Sequence, residues 1–486
     1  MAKKIVIEPV TRVEGHGKVT IRMDDDNRIT QSRLHIVEFR GFERFVQGRP
    51  YWEAPVLVQR LCGICPVSHH LAAAKALDVI VGAGTGNGLT PTGEKMRRLM
   101  HYGQIFQSHV LHFFHLVSPD LLFGIDADPA IRNVIGVALK HKDLAVQGVL
   151  MRKYGQEIIE ATAGKKIHGT GAIPGGINKN LSIEERDAFI KGIDGNPQLS
   201  IAQMIDWSEA ALALFKDYHA KHKDLIDSYA AFDSNHVSLV TPDGALDLYH
   251  GVLRGVDAHG KKILNDVDTQ DYLDHVAEEV RSWSYMKFPY LTSLGPKKGW
   301  YRVGPLARLN TCDYIATPRA QKHFEEFRAY TGGKPNNMTM HYHWARLIET
   351  LHAAEMMELL LNDPDLQKDD LVVTGTRQQQ GVGLLEAPRG TLFHHYAVNE
   401  NDQITMCNLI VSTTNNNQPM NEAVNWVALN TIDGKAEVTE AMLNGVEVAI
   451  RAYDPCLSCA THAMGNMPLE ITLVDSRGDV IDSKRK

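Results

Sequence analysis

The chain has 486 residues, 44% of them apolar and 22% charged, which is the composition of an ordinary globular protein. Its formal net charge is −7 and its acidic and basic residues are interspersed, which argues against a nucleic-acid-binding protein. No apolar run is long enough to span a bilayer, and the N-terminus lacks the apolar stretch of a signal peptide. We therefore expect a cytoplasmic protein without nucleic-acid or membrane partners, built as one large domain or two fused lobes.

Alternation of apolar residues predicts a small β-meander over about residues 4–39, with a turn at 24–27. Residues 54–361 have a mainly helical pattern, with a capping-box signature at Ser182 and a proline in the first turn at Pro318. The predicted helices of this core are 54–60, 69–80, 92–117, 129–162, 199–230, 269–283, 318–330 and 340–361.

The last part, about 371–462, returns to strand signals. Strands at 391–398 and 403–411 flank a turn, and helices follow near 420–429 and 437–452. The expected fold class is α+β, mainly α, with a large central helix bundle between the meander and C-terminal β-hairpin elements.

A glycine-rich run at 82–88 resembles a dinucleotide-binding loop, but that motif needs a strand before it and a helix directly after it. Here a helical pattern precedes the run and Leu89-Thr90-Pro91 follows it. We interpret it as a loop that ends a helix, and expect the chain itself to bind no NAD.

Two CxxC pairs are the strongest chemical signal. Cys62 and Cys65 lie near the start of the chain, and Cys456 and Cys459 lie near its end. Four thiols suit a metal that prefers soft ligands, but the wide separation is unlike a zinc ribbon, and neither pair follows a strand as a thioredoxin motif does. A structural four-cysteine zinc protein remains an alternative.

Four segments resemble the signatures of the nickel-iron hydrogenase large subunit: RLCGICPVSH at 60–69, DPCLSCATH at 454–462, RVEGH at 12–16 and EAPRG at 386–390. VEFRGFE at 37–43 and WSYMKFPY at 283–290 are most similar to the cytoplasmic, bidirectional, NAD-reducing members. The resemblance implies the large-subunit fold for residues 1–462. A complex I-like quinone-module protein shares that fold but lacks the four cysteines, so it is the weaker alternative.

The resemblance implies that Cys62 and Cys456 are terminal nickel ligands. Cys65 and Cys459 would bridge nickel to an iron that carries one CO and two cyanides. Such a group has a formal excess of about two negative charges, which a buried site must compensate. Arg389, in the EAPRG motif, would supply a fixed positive charge beside it.

In that family the reaction is the heterolytic cleavage of H2. The Cys456 thiolate would take the proton, and Glu14 would be the first carboxylate of the relay that carries it away. Asp120 and Asp454 would orient Arg389 and its neighbours.

The family also implies groups around the iron and a second metal. Thr413 and the Ser412 backbone would hydrogen-bond the cyanides, although Ser412 departs from the proline common at that position. Pro388 would flank the same group, and His69 would support a cysteine sulfur. A magnesium ion would be held by the residues Glu43, Leu409 and His462.

Electrons must leave the site, and the two remaining cysteines, Cys312 and Cys407, are too few for an iron-sulfur cluster and are expected to be buried apolar side chains. The resemblance therefore implies a partner, the iron-sulfur small subunit, which would dock on a flavin- and iron-sulfur-containing diaphorase that reduces NAD.

Residues 463–486 resemble the extension that a maturation protease removes after a nickel chaperone has delivered the metal. Two short strand signals around Ser476-Arg477-Gly478 predict a hairpin within it.

Overall fold

The N-terminal residues form the meander that their alternation predicts. The computed structural model describes residues 3–83, 88–461, 470–474 and 480–485. Strands β1 (Lys3–Ile7), β2 (Gly17–Met23) and β3 (Ile29–Ile36) pair antiparallel in that order. The inward side chains of β2, Val19 and Ile21, are fully buried, so one face of this sheet packs on the protein body.

Helices make up the centre of the molecule. They are α1 (Phe42–Phe45), α2 (Ala54–Leu57), α3 (Pro66–Ile80), α4 (Pro91–Leu111), α5 (Ser118–Phe123), α6 (Val134–Lys140), α7 (Lys142–Ala163), α8 (Ile183–Lys191), α9 (Ile201–Lys221), α10 (Lys223–Ser228), α11 (Tyr272–His275), α12 (Gly295–Lys298), α13 (Pro305–Thr311), α14 (Pro318–Tyr330), α15 (Tyr342–Leu361), α16 (Ser412–Asn415), α17 (Asn417–Val427) and α18 (Glu440–Ala452). Helix α4 packs against α7 and α15, and α15 also packs against α9.

The predicted helices are mostly present but are more often divided than expected. The capping box at Ser182 begins α8, and α14 has the predicted bounds. The helix expected at 92–117 is α4 followed by a π-helical turn at His112–Val117, and that expected at 129–162 is split between α6 and α7. Within the described ranges, no helix is long and apolar enough to cross a membrane.

The mainly helical core also contains strands that the sequence pattern did not predict. They are β4 (Ala172–Ile173), β5 (Gly176–Ile177), β6 (Asn235–Val240), β7 (Val252–Val256), β8 (Lys262–Val267), β9 (Val276–Glu279), β10 (Phe288–Leu291) and β11 (Tyr301–Arg302). One sheet has the order β11-β6-β7-β8, with β11 parallel to β6.

The helix predicted at 269–283 is wrong. This segment forms a 3₁₀ turn (Thr269–Asp271), the single turn α11 and strand β9, which pairs with β10. Tertiary pairing with β10 overrides the local pattern, as it often does in short segments.

The C-terminal part contains the predicted hairpin and one further strand. β12 (Gln380–Ala387), β13 (Gly390–Val398) and β14 (Ile404–Ile410) form an antiparallel sheet in that order. Helix α3 packs on β12, so the sheet lies directly against the helix that follows the first CxxC pair.

Two segments border ranges that are not described. Helix α3 ends before the glycine run, as predicted, but Gly84–Asn87 of that run lie outside the described residues. Beyond residue 461, β15 (Glu470–Val474) and β16 (Val480–Arg485) form an antiparallel pair, which confirms the predicted hairpin.

Candidate metal centre

The first CxxC pair lies where a 3₁₀ turn meets α3. Cys62 ends the turn Val58–Leu61, and Cys65 is the N-cap of α3, with Pro66 at the first helical position. The N–H groups of Ile64 and Cys65 both donate to the Cys62 sulfur at 3.2 Å. Backbone donors favour a thiolate, so this local structure prepares Cys62 to bind a cation.

The second pair lies just after α18. Asp454 has a positive φ of 53°, which breaks the helical path, and Pro455 prevents the helix from continuing. A 3₁₀ turn at Ser458–Ala460 then contains Cys459. The chain reversal places Cys456 and Cys459 opposite the first pair.

The fold brings the four sulfurs together. The Sγ atoms are separated by 3.1 Å between Cys62 and Cys456, 3.6 Å between Cys65 and Cys459, and 3.0 Å between Cys456 and Cys459. All four lie within 4.8 Å of one another, all are buried, and none forms a disulfide. This is a soft donor set of the size that a metal centre needs.

The charges in this site call for a metal. Burial raises the pKa of the Cys456 and Cys459 thiols. Burial also opposes the Cys62 thiolate, but hydrogen bonds from the other three thiols and the charge of Arg389 hold the pKa of Cys62 well below its ordinary value. As metal ligands all four cysteines would be thiolates, and one guanidinium cannot balance their charge. The residues therefore fit a cationic metal group such as a nickel-iron group.

Arg389 is presented by a two-residue turn. Ala387 and Gly390 are the last pair of the β12–β13 hairpin, so Pro388 and Arg389 form its tip. The buried guanidinium donates to Asp454 Oδ1 at 3.1 Å through Nη2.

The Arg389 guanidinium is charged despite its burial. Desolvation opposes the charge, but Asp454 and the thiolates of Cys456, Cys65 and Cys62 hold the pKa of Arg389 well above its ordinary value. Burial in turn raises the pKa of the Asp454 carboxyl. Arg389 and the Cys62 thiolate thus stabilise each other's charged forms.

Arg389 has a further contact that sequence reasoning missed. Its Nη1 lies 3.4 Å from the hydroxyl of Ser108, on α4. No motif in the sequence marks this serine. Asp120, which the resemblance predicts to orient Arg389 and its neighbours together with Asp454, receives hydrogen bonds from Arg12 at 2.6 Å and Arg451 at 3.1 Å.

Glu14 reaches the second cysteine pair through both its backbone and its side chain. The Leu457 N–H donates to the Glu14 carbonyl at 2.9 Å, while Cys456 Sγ and the Ser458 N–H lie 3.0 and 3.1 Å from Glu14 Oε2. Gly15 has a φ of 81°, and a Cβ there would lie 2.7 Å from the Ser458 nitrogen, so only glycine allows this close approach. The Glu14 carboxylate therefore contacts a candidate metal ligand, and the residue as a whole is half-buried.

A small cavity of about 10 Å³ adjoins the sulfurs of Cys65, Cys456 and Cys459. Its walls include Ser68, His69, Pro388, Arg389, Ser412 and Thr413. Among the described residues, the Ser68 hydroxyl has no hydrogen-bond partner although it is fully buried. A buried unsatisfied donor beside thiolates indicates that a polar group belongs in this space.

The predicted cofactor-binding residues line this cavity with defined contacts. The Thr413 hydroxyl accepts a hydrogen bond from the Cys456 N–H at 3.0 Å, and the Ser412 hydroxyl donates to the Gly390 carbonyl at 2.7 Å. His69 Nδ1 lies 3.2 Å from His394 Nε2.

Two of the three predicted magnesium-site residues lie together. The Leu409 N–H donates to Glu43 Oε1 at 2.8 Å, and both residues are buried. The third, His462, lies outside the described residues.

A second cluster, formed by His219, Asp227 and His341, also has metal-ligand composition. Both imidazole Nε2 atoms approach Asp227 Oδ1, at 2.7 and 3.0 Å. Asn336 Nδ2 donates to His341 Nδ1 at 2.7 Å because its own Oδ1 accepts from the Met338 N–H. The proton of His341 is therefore on Nε2 and donates to the carboxylate, so this cluster is a hydrogen-bond network.

The sequence matches two family models. Residues 4–39 match a model described as HoxL-like, and residues 40–134 and 146–462 match the nickel-dependent hydrogenase model. The chain belongs to the nickel-dependent hydrogenases, which confirms the resemblance and the large-subunit fold.

The most informative relatives cover nearly the whole chain. The NAD-reducing hydrogenase HoxS subunit beta of Cupriavidus necator is 54% identical over 100% of both chains. One subunit of the F420-non-reducing hydrogenase of Methanothermobacter thermautotrophicus is 42% identical over 98% of this chain and 99% of its own.

Solved structures agree with the family assignment. A crystal structure of an NAD+-reducing NiFe-hydrogenase in the H2-reduced state superposes with a TM-score of 0.90, at 55% identity over 95% of this chain and 99% of that one. The Ni-Fe-Se hydrogenase of D. vulgaris Hildenborough shares the fold, with a TM-score of 0.74 at 23% identity over 95% of this chain and all of that one.

Proposed function

We propose that this chain is the H2-cleaving subunit of a cytoplasmic NAD-reducing hydrogenase. It converts H2 to two protons and two electrons, and the electrons pass through partner subunits to NAD. The observation that carries the proposal is the convergence of four buried sulfurs, from opposite ends of the chain, within 4.8 Å. The relatives that reduce NAD support the choice of acceptor.

Each cysteine has a proposed place in the site. Cys62, Cys65, Cys456 and Cys459 would together hold the nickel-iron group through their sulfurs. When bound, this metal group supplies the position at which H2 is polarised and split. The protein's part is to exclude water and to hold the positive charge of Arg389 beside the group, which its contact with Asp454 supports.

The proton leaves through Cys456 and Glu14. Cys456 Sγ accepts the proton released in the cleavage and passes it to Glu14 Oε2, 3.0 Å away. The Ser458 N–H fixes that oxygen in place. Because Glu14 is half-buried, its carboxylate links the dry interior to the surface.

An iron with CO and two cyanides would have the Ser412 backbone and Thr413 as hydrogen-bonding neighbours. The Ser68 hydroxyl, which has no partner among the described residues, is a further donor for these diatomic ligands. Glu43, the Leu409 carbonyl and His462 hold magnesium.

The electrons pass to an iron-sulfur small subunit, since Cys312 and Cys407 are separate, buried and too few for a cluster. A diaphorase with flavin and iron-sulfur clusters then reduces NAD. A nickel chaperone loads the site, and a maturation protease removes residues 463–486 from the mature domain, 1–462.

Elemental analysis of the purified complex tests this function, combined with infrared spectroscopy. We expect one nickel per chain, one active-site iron beyond those of the iron-sulfur clusters, and bands from CO and cyanide. Zinc as the sole metal of the four-cysteine site would overturn the proposal. Hydrogen-dependent NAD reduction by the same preparation tests the acceptor separately.

A further inference from the structure

A second buried arginine holds the turn that carries Arg389. Arg308, on α13, is fully buried. Its Nη1 donates to the Ala387 carbonyl at 3.0 Å and its Nη2 to the Pro388 carbonyl at 3.3 Å. These are the two carbonyls that directly precede Arg389, so Arg308 fixes the backbone from which the catalytic guanidinium extends.

Arg308 is itself held rigidly. Its Nε and Nη2 donate to the two oxygens of Glu349, each at 2.6 Å, and its Nη1 also donates to Glu386 at 2.8 Å. His109 Nε2 lies 2.9 Å from the Glu349 carboxylate, and the Thr391 hydroxyl donates to Glu386 at 2.7 Å. A bidentate pair fixes the plane of a guanidinium as well as its position.

The donor geometry requires arginine. Arg308 makes five hydrogen bonds, to two carboxylates and two carbonyls, through a planar guanidinium whose N–H directions are fixed. A lysine has three donors around a single nitrogen, so it keeps the charge but cannot reach both carboxylates and both carbonyls. Arg308→Lys therefore preserves charge while releasing the turn.

We propose that Arg308 is a positioning residue for the hydrogenase reaction. Through the Ala387 and Pro388 carbonyls, it keeps the Arg389 guanidinium beside the four cysteines and in contact with Asp454. This inference rests on the proposed function of Arg389.

A double-mutant cycle in the assembled complex tests it, using Arg308→Lys, Arg389→Lys and both together. We expect Arg308→Lys to retain nickel and iron, to lower H2 turnover on the order of a hundredfold, and to shift the CO and cyanide infrared bands. In the Arg389→Lys background, the same change should lower turnover by less than about threefold, because the group it positions is already altered.

Arg97→Lys is the matched control. Arg97 is also fully buried, pairs with both oxygens of Asp78 and donates to the carbonyls of Gly176 and Ile173. Asp78 lies near the far end of α3 from Cys65, roughly 20 Å away along the helix. Arg97→Lys should match the loss of melting temperature of Arg308→Lys but leave the infrared bands in place.

The outcomes separate the two proposals. If Arg389→Lys keeps wild-type turnover, the proposed function of Arg389 is wrong. If Arg389→Lys is impaired but Arg308→Lys lowers turnover by the same factor in both backgrounds, the positioning role is overturned. It is also overturned if Arg97→Lys shifts the CO and cyanide infrared bands as much as Arg308→Lys does. Should Arg308→Lys not fold, His109→Phe replaces it in the cycle, because it removes one hydrogen bond of Glu349. His109→Phe should lower turnover by a smaller factor, and its effect should also be non-additive with that of Arg389→Lys.

Discussion

At the residue scale, Glu14 combines contact with the metal centre and partial exposure to solvent. Its carboxylate lies 3.0 Å from a cysteine sulfur of the metal centre, and it is only half-buried. A group that passes protons must reach both the reacting atom and water, and must be able to change its protonation state. The position of Glu14 satisfies the first condition and its chemistry satisfies the second.

We expect Glu14→Gln to retain nickel and iron but to lose H2 turnover by about 10²-fold or more. Glutamine keeps the acceptor for the Ser458 N–H, but its amide cannot take a proton from Cys456. Metal content and hydrogen uptake are measured on the same preparation. Glu8→Gln, at an exposed position near the same terminus, is the control and should behave as wild type. Full turnover in Glu14→Gln would exclude the relay.

The Glu349 carboxylate makes part of the free energy of unfolding depend on pH in the acid range. Burial opposes its charge, but Arg308 first and His109 second hold its pKa at about 2, below the ordinary value of 4.5. The carboxylate therefore contributes stability that is fully present above pH 4.5 and is lost as the pH falls from 4.5 towards 2.

We expect Glu349→Gln to lower the free energy of unfolding by about 3 kcal/mol at pH 7, with a difference from wild type that shrinks below pH 4.5. Denaturant unfolding at several pH values measures this. Glu358→Gln, on the same helix, should cost less than about 0.5 kcal/mol at every pH. A constant difference between Glu349→Gln and wild type down to pH 3 would contradict the assignment.

The residue scale also shows how far the sequence could predict this site. The four cysteines, Arg389 and Asp454 lie in recognisable motifs, and the fold brings them together. Ser108 is an ordinary serine within a long helix, and nothing local in the sequence indicates that it faces Arg389. Its contact depends on how α4 crosses the β12–β13 hairpin, which is a property of tertiary packing.

At the element scale, the distance between α3 and β12 sets the geometry of the metal centre. Helix α3 begins at the first cysteine pair, and β12 ends at the Arg389 turn. Two strand glycines allow the close contact: a Cβ at Gly381 would lie 2.1 Å from the Ala76 carbonyl oxygen, and one at Gly383 would lie 2.1 Å from the Ala72 carbonyl oxygen. Both obstacles are helix backbone, so a Cβ could be accommodated only by a shift of the helix itself.

We expect Gly383→Ala to push α3 away from β12 and to lower stability by about 2 kcal/mol or more. Nickel content should fall as well, because the first cysteine pair moves with the helix. Thermal unfolding and metal analysis measure the two effects. For comparison, a Cβ at Gly63 meets nothing within 4 Å, so Gly63→Ala should leave the melting temperature unchanged. Equal melting temperatures for both variants would show that α3 can adapt.

The strands that the sequence pattern predicted differ in burial from the strands that it missed. The N-terminal meander has one buried and one solvated face, so its strands alternate and are predictable. Residues 236–240 of β6 are all buried, so β6 lacks the alternation of buried and exposed positions that predicts a strand. Segment 269–283 is short and ambiguous, and its strand β9 exists only because β10 pairs with it.

At the scale of the whole molecule, the metal centre joins the two ends of the chain. Glu14 and Cys456 form an isolated parallel bridge, and the Arg40 N–H donates to the Thr461 carbonyl at 2.7 Å. The C-terminal segment is therefore attached to N-terminal residues as far as Thr461, which is itself buried.

The hairpin β15–β16 follows this attached segment as a two-stranded sheet of its own. We expect chains isolated from the active, nickel-containing complex to end at His462, because the proposed maturation removes residues 463–486 after the metal is inserted. Chains produced without nickel should retain the extension. An isolated two-stranded hairpin is at best marginally stable, so its removal should cost the domain little stability. Intact-mass spectrometry of both preparations distinguishes the two forms, and an active complex whose chains all retain residues 463–486 would overturn the proposal.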